Sequence, residues 1–289
     1  MVHDSRHFVD RLDAAIAGVG SPVCVGLDPV LDRLPGAVRA TGAAGGLGAI
    51  EAFSRGVIEA VAGQVAAVKF QSACYERWGG AGLSVLADLA RRAEDLGLVV
   101  ILDAKRGDIG ISAEHYAAAA LAQHADAITV NGYLGPSGVL PFLDAGLGVF
   151  VLVRTSNPDS DSVQSVRLAD GRSVAEMMAD HVAHLGRDYL GSCGLSDAGA
   201  VVGLTKAGDG PALRARMPDQ VFLIPGYGAQ GGSPGAIRAL LRADGRGVLV
   251  SASRSVIYPP DGDTGDWRSA VIRAAERFAG EVSGALAGD

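Results

Sequence analysis

The sequence is poor in sulfur. Three cysteines stand among 289 residues, Cys24, Cys74 and Cys193, with no Cys-x-x-Cys spacing and no histidine pattern beside them. A sparse, odd count excludes a disulfide framework and reads as reduced thiols in a cytosolic protein, small apolar side chains in its interior. Positive charge is also scarce. Lys and Arg number 25 against 32 Asp and Glu, a formal charge of −7, and no basic run occurs. That argues against a nucleic-acid partner, and any anionic ligand must be held by a few locally placed cations. Apolar runs stay short of the ~18 residues of a membrane span. The charged stretch from Met1 to Asp13 lacks the basic-then-apolar order of a signal peptide. The expectation is a cytoplasmic protein with no membrane contact.

What the chain does have is glycine, 41 residues, and an apolar fraction of 48% against 20% charged. Such a chain buries a large core, and its small residues suit tightly packed βα units. Eight short, near-continuous apolar runs can be counted: Pro22–Leu27, Val65–Phe70, Leu98–Leu102, Asp126–Val130, Val149–Val153, Ala200–Gly203, Val221–Ile224 and Gly247–Val250. Each has the character of a strand buried on both faces. Between them lie stretches of helical period, such as Ile50, Phe53, Val57, Ile58 and Val61, or Trp267, Val271, Ile272, Ala275 and Phe278. A further helix, with Phe8, Leu12, Ile16 and Val19 on one face, precedes the first strand. Eight strands alternating with helices predict a single α/β domain over residues 1–289, a (β/α)8 TIM barrel with an extra N-terminal helix, rather than an open doubly wound sheet. Thr41–Gly48 and the polar stretch Ser156–Arg172 read as loops, the second a lid or a solvated insertion.

In a barrel of this kind, function gathers where strands end. The first strand ends in Asp28, the second in Lys69, the third in Asp103-Ala104-Lys105-Arg106-Gly107-Asp108. The fifth leads into Arg154-Thr155-Ser156, the sixth into Thr205-Lys206, and the eighth into Ser253-Arg254. Asp103 and Lys105 are two apart, so in an extended segment both side chains leave on one face. With Asp108 and the neighbouring Lys69 they form an alternating array whose members hold one another ionised. The seventh strand runs into Gly226-x-Gly228-x-x-Gly231, which matches a dinucleotide fingerprint in spacing but not in place. It reads better as the phosphate loop that barrels build after strands seven and eight, with Gln230 and Arg254 as donors. His181 and His184 share a helix face without a third ligand, and no metal site is expected.

These motifs resemble orotidine 5′-phosphate decarboxylases, specifically a longer bacterial branch of that family. The resemblance is carried by Asp103-x-Lys105-x-x-Asp108, by Lys69 in Val68-Lys69-Phe70-Gln71, by Val25-Gly26-Leu27-Asp28-Pro29, and by Thr155-Ser156-Asn157-Pro158. It implies cofactor-free loss of CO2 from orotidine 5′-phosphate to give UMP in pyrimidine biosynthesis. Lys105 is then the group that stabilises and protonates a C6 carbanion, with Asp103, Lys69 and Asp108 around it. Asp28 is implied at the ribose, Thr155 and Ser156 at the pyrimidine, Gln230 and Arg254 at the phosphate. The family's homodimer implies that Asp108 enters the neighbouring subunit's site. Two other enzymes fit the third-strand motif: a magnesium-dependent phosphosugar decarboxylase and a Schiff-base aldolase. A non-catalytic nucleotide-binding protein is the alternative from another class.

Overall fold

The computed structural model describes residues 7–40, 45–227, 234–262 and 266–287. Its centre is a closed barrel of parallel strands: β1 (Val23–Leu27), β2 (Ala67–Gln71), β3 (Val99–Arg106), β4 (Ala127–Val130), β5 (Gly148–Arg154), β6 (Ser196–Val202), β7 (Gln220–Pro225) and β8 (Val248–Ala252). Each strand pairs with the next, and β8 closes on β1. Among the described residues six helices reach twelve residues or more: α1 (Phe8–Val19), α2 (Gly45–Val61), α3 (Gly79–Asp95), α4 (Gly110–Ala122), α5 (Val174–Gly186) and α6 (Trp267–Ala287). The apolar faces read from the sequence are the ones that pack inward. Ile50, Phe53, Val57, Ile58 and Val61 are buried, as are Val271, Ala275 and Phe278. Closing the sheet leaves no strand edge, and the helices cover its outer face, which is why all eight runs are near-continuously apolar.

The expected N-terminal helix plugs the barrel's base. Phe8 of α1 meets the Phe150 ring edge-on, with centroids 5.9 Å apart. Gly148 makes this possible, because a Cβ there would lie 2.1 Å from the Phe8 ring. Edge-to-face contact adds roughly 0.5–1.5 kcal/mol to the area that both rings bury.

Most strand ends shift by one or two residues from the sequence reading, and three boundaries shift by four. β3 runs four residues past Leu102, and β6 starts at Ser196, four before Ala200. Ser196 and Asp197 are polar yet buried. Ser196 Oγ donates to the Gly186 carbonyl, while Asp197 accepts from the Val9 amide. Those partners come from distant segments, so apolar pattern alone stops short of them. Of the stretch 41–48, residues 41–44 lie outside the described residues, whereas 45–48 form the first turn of α2. Gly45, Gly46 and Gly48 offer no side chain from which helical period is read.

Candidate active site

The site follows from strand parity. Ala67, Ile101, Ala127, Phe150, Leu223 and Leu249 point into the barrel and pack with Phe8 in one buried cluster. Two residues on, the same strand faces carry Lys69, Asp103, Thr129, Leu152, Pro225 and Ser251. All six line a cavity of about 770 Å³ at the C-terminal mouth, together with Asp28, Lys105, Thr155, Ser156 and Arg254. The barrel is thus apolar below and largely polar at its exit.

Lys69 is 5% exposed and Asp103 8%. Lys69 Nζ donates to Asp103 Oδ2 at 2.8 Å, and Lys105 Nζ donates to Oδ1 at 2.5 Å. Burial works to raise the Asp103 pKa, but the two ammonium groups outweigh it and hold the carboxyl well below the usual carboxylate range. For Lys69, burial favours the neutral form, yet Asp103 and then Asp28 prevail and lift it above an ordinary lysine. The pair is charged at neutral pH on both sides. The Lys105 side chain is 47% exposed, so its ammonium reaches into the cavity while remaining tied to Asp103.

The route by which Asp103 and Lys105 meet differs from the expectation. They do not share the face of a regular strand. The β3–β4 register shifts between Leu102 and Arg106, and Lys105 has φ of 47°. A side-chain-bearing residue in this left-handed region costs roughly 1–3 kcal/mol, which the surrounding contacts must offset.

Across the mouth, Asp28 Oδ2 accepts a bond from Ser253 Oγ at 2.8 Å. Gly26 leaves room for that serine, since a Cβ would lie 2.0 Å from Ser253 Oγ. The other oxygen, Asp28 Oδ1, is buried without a hydrogen-bond partner. It is an acceptor on the cavity wall suited to a hydroxyl group. Arg254, exposed at the start of a short helical turn (Arg254–Ile257), forms no ion pair with a described residue. Gln230, Gly228 and Gly231 lie outside the described residues.

The stretch 156–172 is more ordered than a loop. Pro158–Ser160 is a 3-10 turn and Asp161–Gln164 a helical one, and Ser160 is buried. Arg154 holds this segment down. Its guanidinium, 5% exposed, donates to Asp161 at 2.5 Å, to Asp209 at 2.7 Å and to Ser160 at 3.2 Å. Lys206 adds a bond to Asp161 at 2.6 Å. These two strand-end cations therefore bind a loop to the barrel and do not line the cavity. Gln164 is the piece that sequence reasoning missed. Its Oε1 accepts the Thr155 amide at 2.8 Å and its Nε2 donates to Thr155 Oγ1 at 2.8 Å. No spacing rule links residues nine apart on a loop. Val174 and Met178 of α5 also line the cavity and were not singled out, while Asn131, the residue at which the fourth strand ends in the sequence reading, lines it too. Asp108 stands apart from the array. It lies beyond β3 outside the cavity lining, its carboxylate accepting the Ile109 amide at 2.9 Å.

Comparison with known proteins agrees with this geometry. Residues 21–263 match the family described as "Orotidine 5'-phosphate decarboxylase / HUMPS family". An orotidine 5′-phosphate decarboxylase of Rhodopirellula baltica is 36% identical, covering 96% of this chain and 99% of that protein. The enzyme of that name from Deinococcus radiodurans is 40% identical, over 91% and 92% of the two chains. The solved structure of Leishmania donovani OMP decarboxylase superposes with a TM-score of 0.80 at 31% identity, covering 97% and 98%. A lysine–aspartate–lysine array at a barrel mouth, on a chain that matches these relatives almost end to end, leads to one assignment: the protein belongs to the orotidine 5′-phosphate decarboxylase family.

Proposed function

We propose that the chain decarboxylates orotidine 5′-phosphate to uridine 5′-phosphate and CO2, within pyrimidine biosynthesis. The observation that carries this is the Lys69–Asp103–Lys105 array, with Lys69 and Asp103 buried and Lys105 open to the cavity, on the wall of a cavity rimmed by Arg254. The C6–carboxylate bond breaks, and its electron pair stays on C6. The Lys105 ammonium stabilises that developing carbanion and donates the proton that completes UMP, then regains one from solvent. Its charge is preorganised by Asp103, so little reorganisation is needed as the bond breaks. Lys69 keeps Asp103 ionised beside the departing carboxylate. Asp28 Oδ1 accepts a ribose hydroxyl, Thr155 and Ser156 face the pyrimidine, and Arg254, with Gln230, takes the phosphate. Binding energy from that remote phosphate holds the base in register.

The working unit in this reading is a homodimer in which Asp108 completes the partner's array. Support comes from its position. Gly138 brings the turn at Asp108 beside Leu134, a Cβ there lying 3.1 Å from the Asp108 carbonyl and 3.5 Å from Leu134 Cβ. Around it Ile109, Ile111, Tyr133 and Leu134 are exposed, an apolar surface of the kind that symmetric partners cover. A cytoplasmic location fits three unpaired cysteines. No described helix is long and apolar enough to cross a membrane.

The test is loss of the orotate ultraviolet absorbance on mixing with orotidine 5′-phosphate, with Lys105→Ala as comparison. The native chain is expected to turn the substrate over. The variant is expected to lose on the order of 10²–10⁴-fold from proton transfer alone, and more from lost charge, while still binding UMP. A native chain inert toward this substrate overturns the reading. Retention of about a tenth or more of the activity in Lys105→Ala removes the lysine from its role.

A further inference from the structure

β3 and β4 are in register at Leu102 with Ile128 and again at Arg106 with Val130. Three residues of β3 thus stand opposite one residue of β4. Asp103, Ala104 and Lys105 face Thr129 alone. A parallel ladder cannot serve three amide groups from one. The Thr129 hydroxyl takes the place of the missing backbone acceptor. Its oxygen accepts the Lys105 N–H at 2.9 Å, and its proton goes to Asp103 Oδ1 at 2.9 Å. A hydroxyl has one proton and two lone pairs, so both bonds form together. Because the amide can only donate, the direction of the second bond is settled: the hydroxyl must give its proton to the carboxylate.

The same Oδ1 receives the Lys105 ammonium. Thr129 therefore touches both ends of the turn that aims Lys105, whose φ of 47° side-chain-bearing residues avoid. The far end of the bulge is closed by the Asn131 amide on the Arg106 carbonyl at 2.7 Å. Thr129 itself is buried. We infer that Thr129 is a positioning residue for the reaction: its hydroxyl holds Lys105 in the left-handed turn and orients the Asp103 oxygen that Lys105 shares. Valine at this place keeps the shape and removes both bonds.

The inference rests on the decarboxylation reading, so its test has one arm with turnover and one without. In the first, Thr129→Val, Thr129→Ala and Thr129→Ser are compared with the native chain for kcat, KM and UMP affinity. Val and Ala are expected to lose about 10²-fold in kcat, the size of effect that a misplacement near 1 Å produces, with KM and UMP affinity unchanged. Ser is expected to recover most of the loss. Native kcat in Val or Ala, or a fall in kcat and UMP affinity together that Ser does not rescue, overturns the inference. Should Val fail to fold, Ala and Ser decide the matter on the same terms. The second arm is hydrogen exchange at the Lys105 amide, which needs no substrate. Protection in the native and Ser chains with fast exchange in Val or Ala supports the clamp even if orotidine 5′-phosphate proves not to be the substrate. Equal protection in all of them refutes it whatever the activity.

Discussion

Lys105 and Arg254 are both cations at the mouth, and their surroundings assign them different work. Lys105 is bound to Asp103 and set in a strained turn, so its ammonium is held in one place, which in the proposed reaction is where charge develops. Arg254 is exposed and free of carboxylates among the described residues, a charge available to a ligand that arrives with its own. Loss of each is expected to read differently. Arg254→Ala is expected to lower kcat/KM for orotidine 5′-phosphate by at least about 30-fold, the equivalent of ~2 kcal/mol. Residual turnover of orotidine, which lacks the phosphate, is expected to stay unchanged. Steady-state assays on the two substrates check this, and equal losses on both show that Arg254 supports the fold instead. The depressed Asp103 carboxyl has its own consequence. A folded pKa below the unfolded one contributes stability that is complete above about pH 4. It declines as pH falls below that value and is exhausted once pH passes the folded value, although the Asp103 carboxylate itself stays ionised to lower pH than an ordinary one.

At the scale of elements, the segment after β5 is decided by one buried guanidinium. Arg154 bonds Ser160 and Asp161 at the start of the short helical turn, Gln164 and Ser165 at its end, and Asp209 from another segment. Burial disfavours its charge, but Asp209 and Asp161 prevail and raise its pKa. Gln164, held in that turn, in turn positions Thr155 at the cavity. Arg154→Met keeps much of the volume and removes these bonds. Because the remaining carboxylates are half-exposed, water re-solvates them, and the fold is expected to lose roughly 1–3 kcal/mol. The sharper readout is local. Limited proteolysis is expected to cut between residues 156 and 172 much faster in the variant, with KM for the nucleotide raised. An unchanged cleavage pattern shows that other contacts hold the segment.

For the whole molecule, the position of Asp108 outside its own cavity makes the site's completeness a question of assembly. Two-fold symmetry makes any contribution reciprocal. Lys105→Ala and Asp108→Ala subunits, each inactive alone, are expected to recover activity when mixed. In a mixed dimer one site then carries both lesions and the other neither. Random exchange gives about half mixed dimers, hence roughly a quarter of native activity. Proven subunit exchange with no recovery shows that Asp108 acts within its own chain or not at all.

Period and strand-end chemistry determined much of this protein from the sequence alone. The barrel, the plugging helix, and the places of Asp28, Lys69, Asp103, Lys105, Thr155, Ser156 and Arg254 at one mouth all follow from apolar runs of strand length and from what stands after each. Local pattern suffices for Lys69 and Asp103 because parity along a strand repeats every two residues, and for the others because every strand of a parallel barrel exits on the same side. The bulge alone turns Lys105 toward Asp103. Tertiary structure alone decided the rest. The bulge in β3 exists only because β4 offers a single residue, Thr129, opposite three. The order of the segment after β5 depends on Asp209, 55 positions from Arg154. The polar start of β6 depends on Val9, 188 positions from Asp197. In each case a polar group is buried by a partner remote in the chain, and no periodicity records a bond between residues that only the fold brings together.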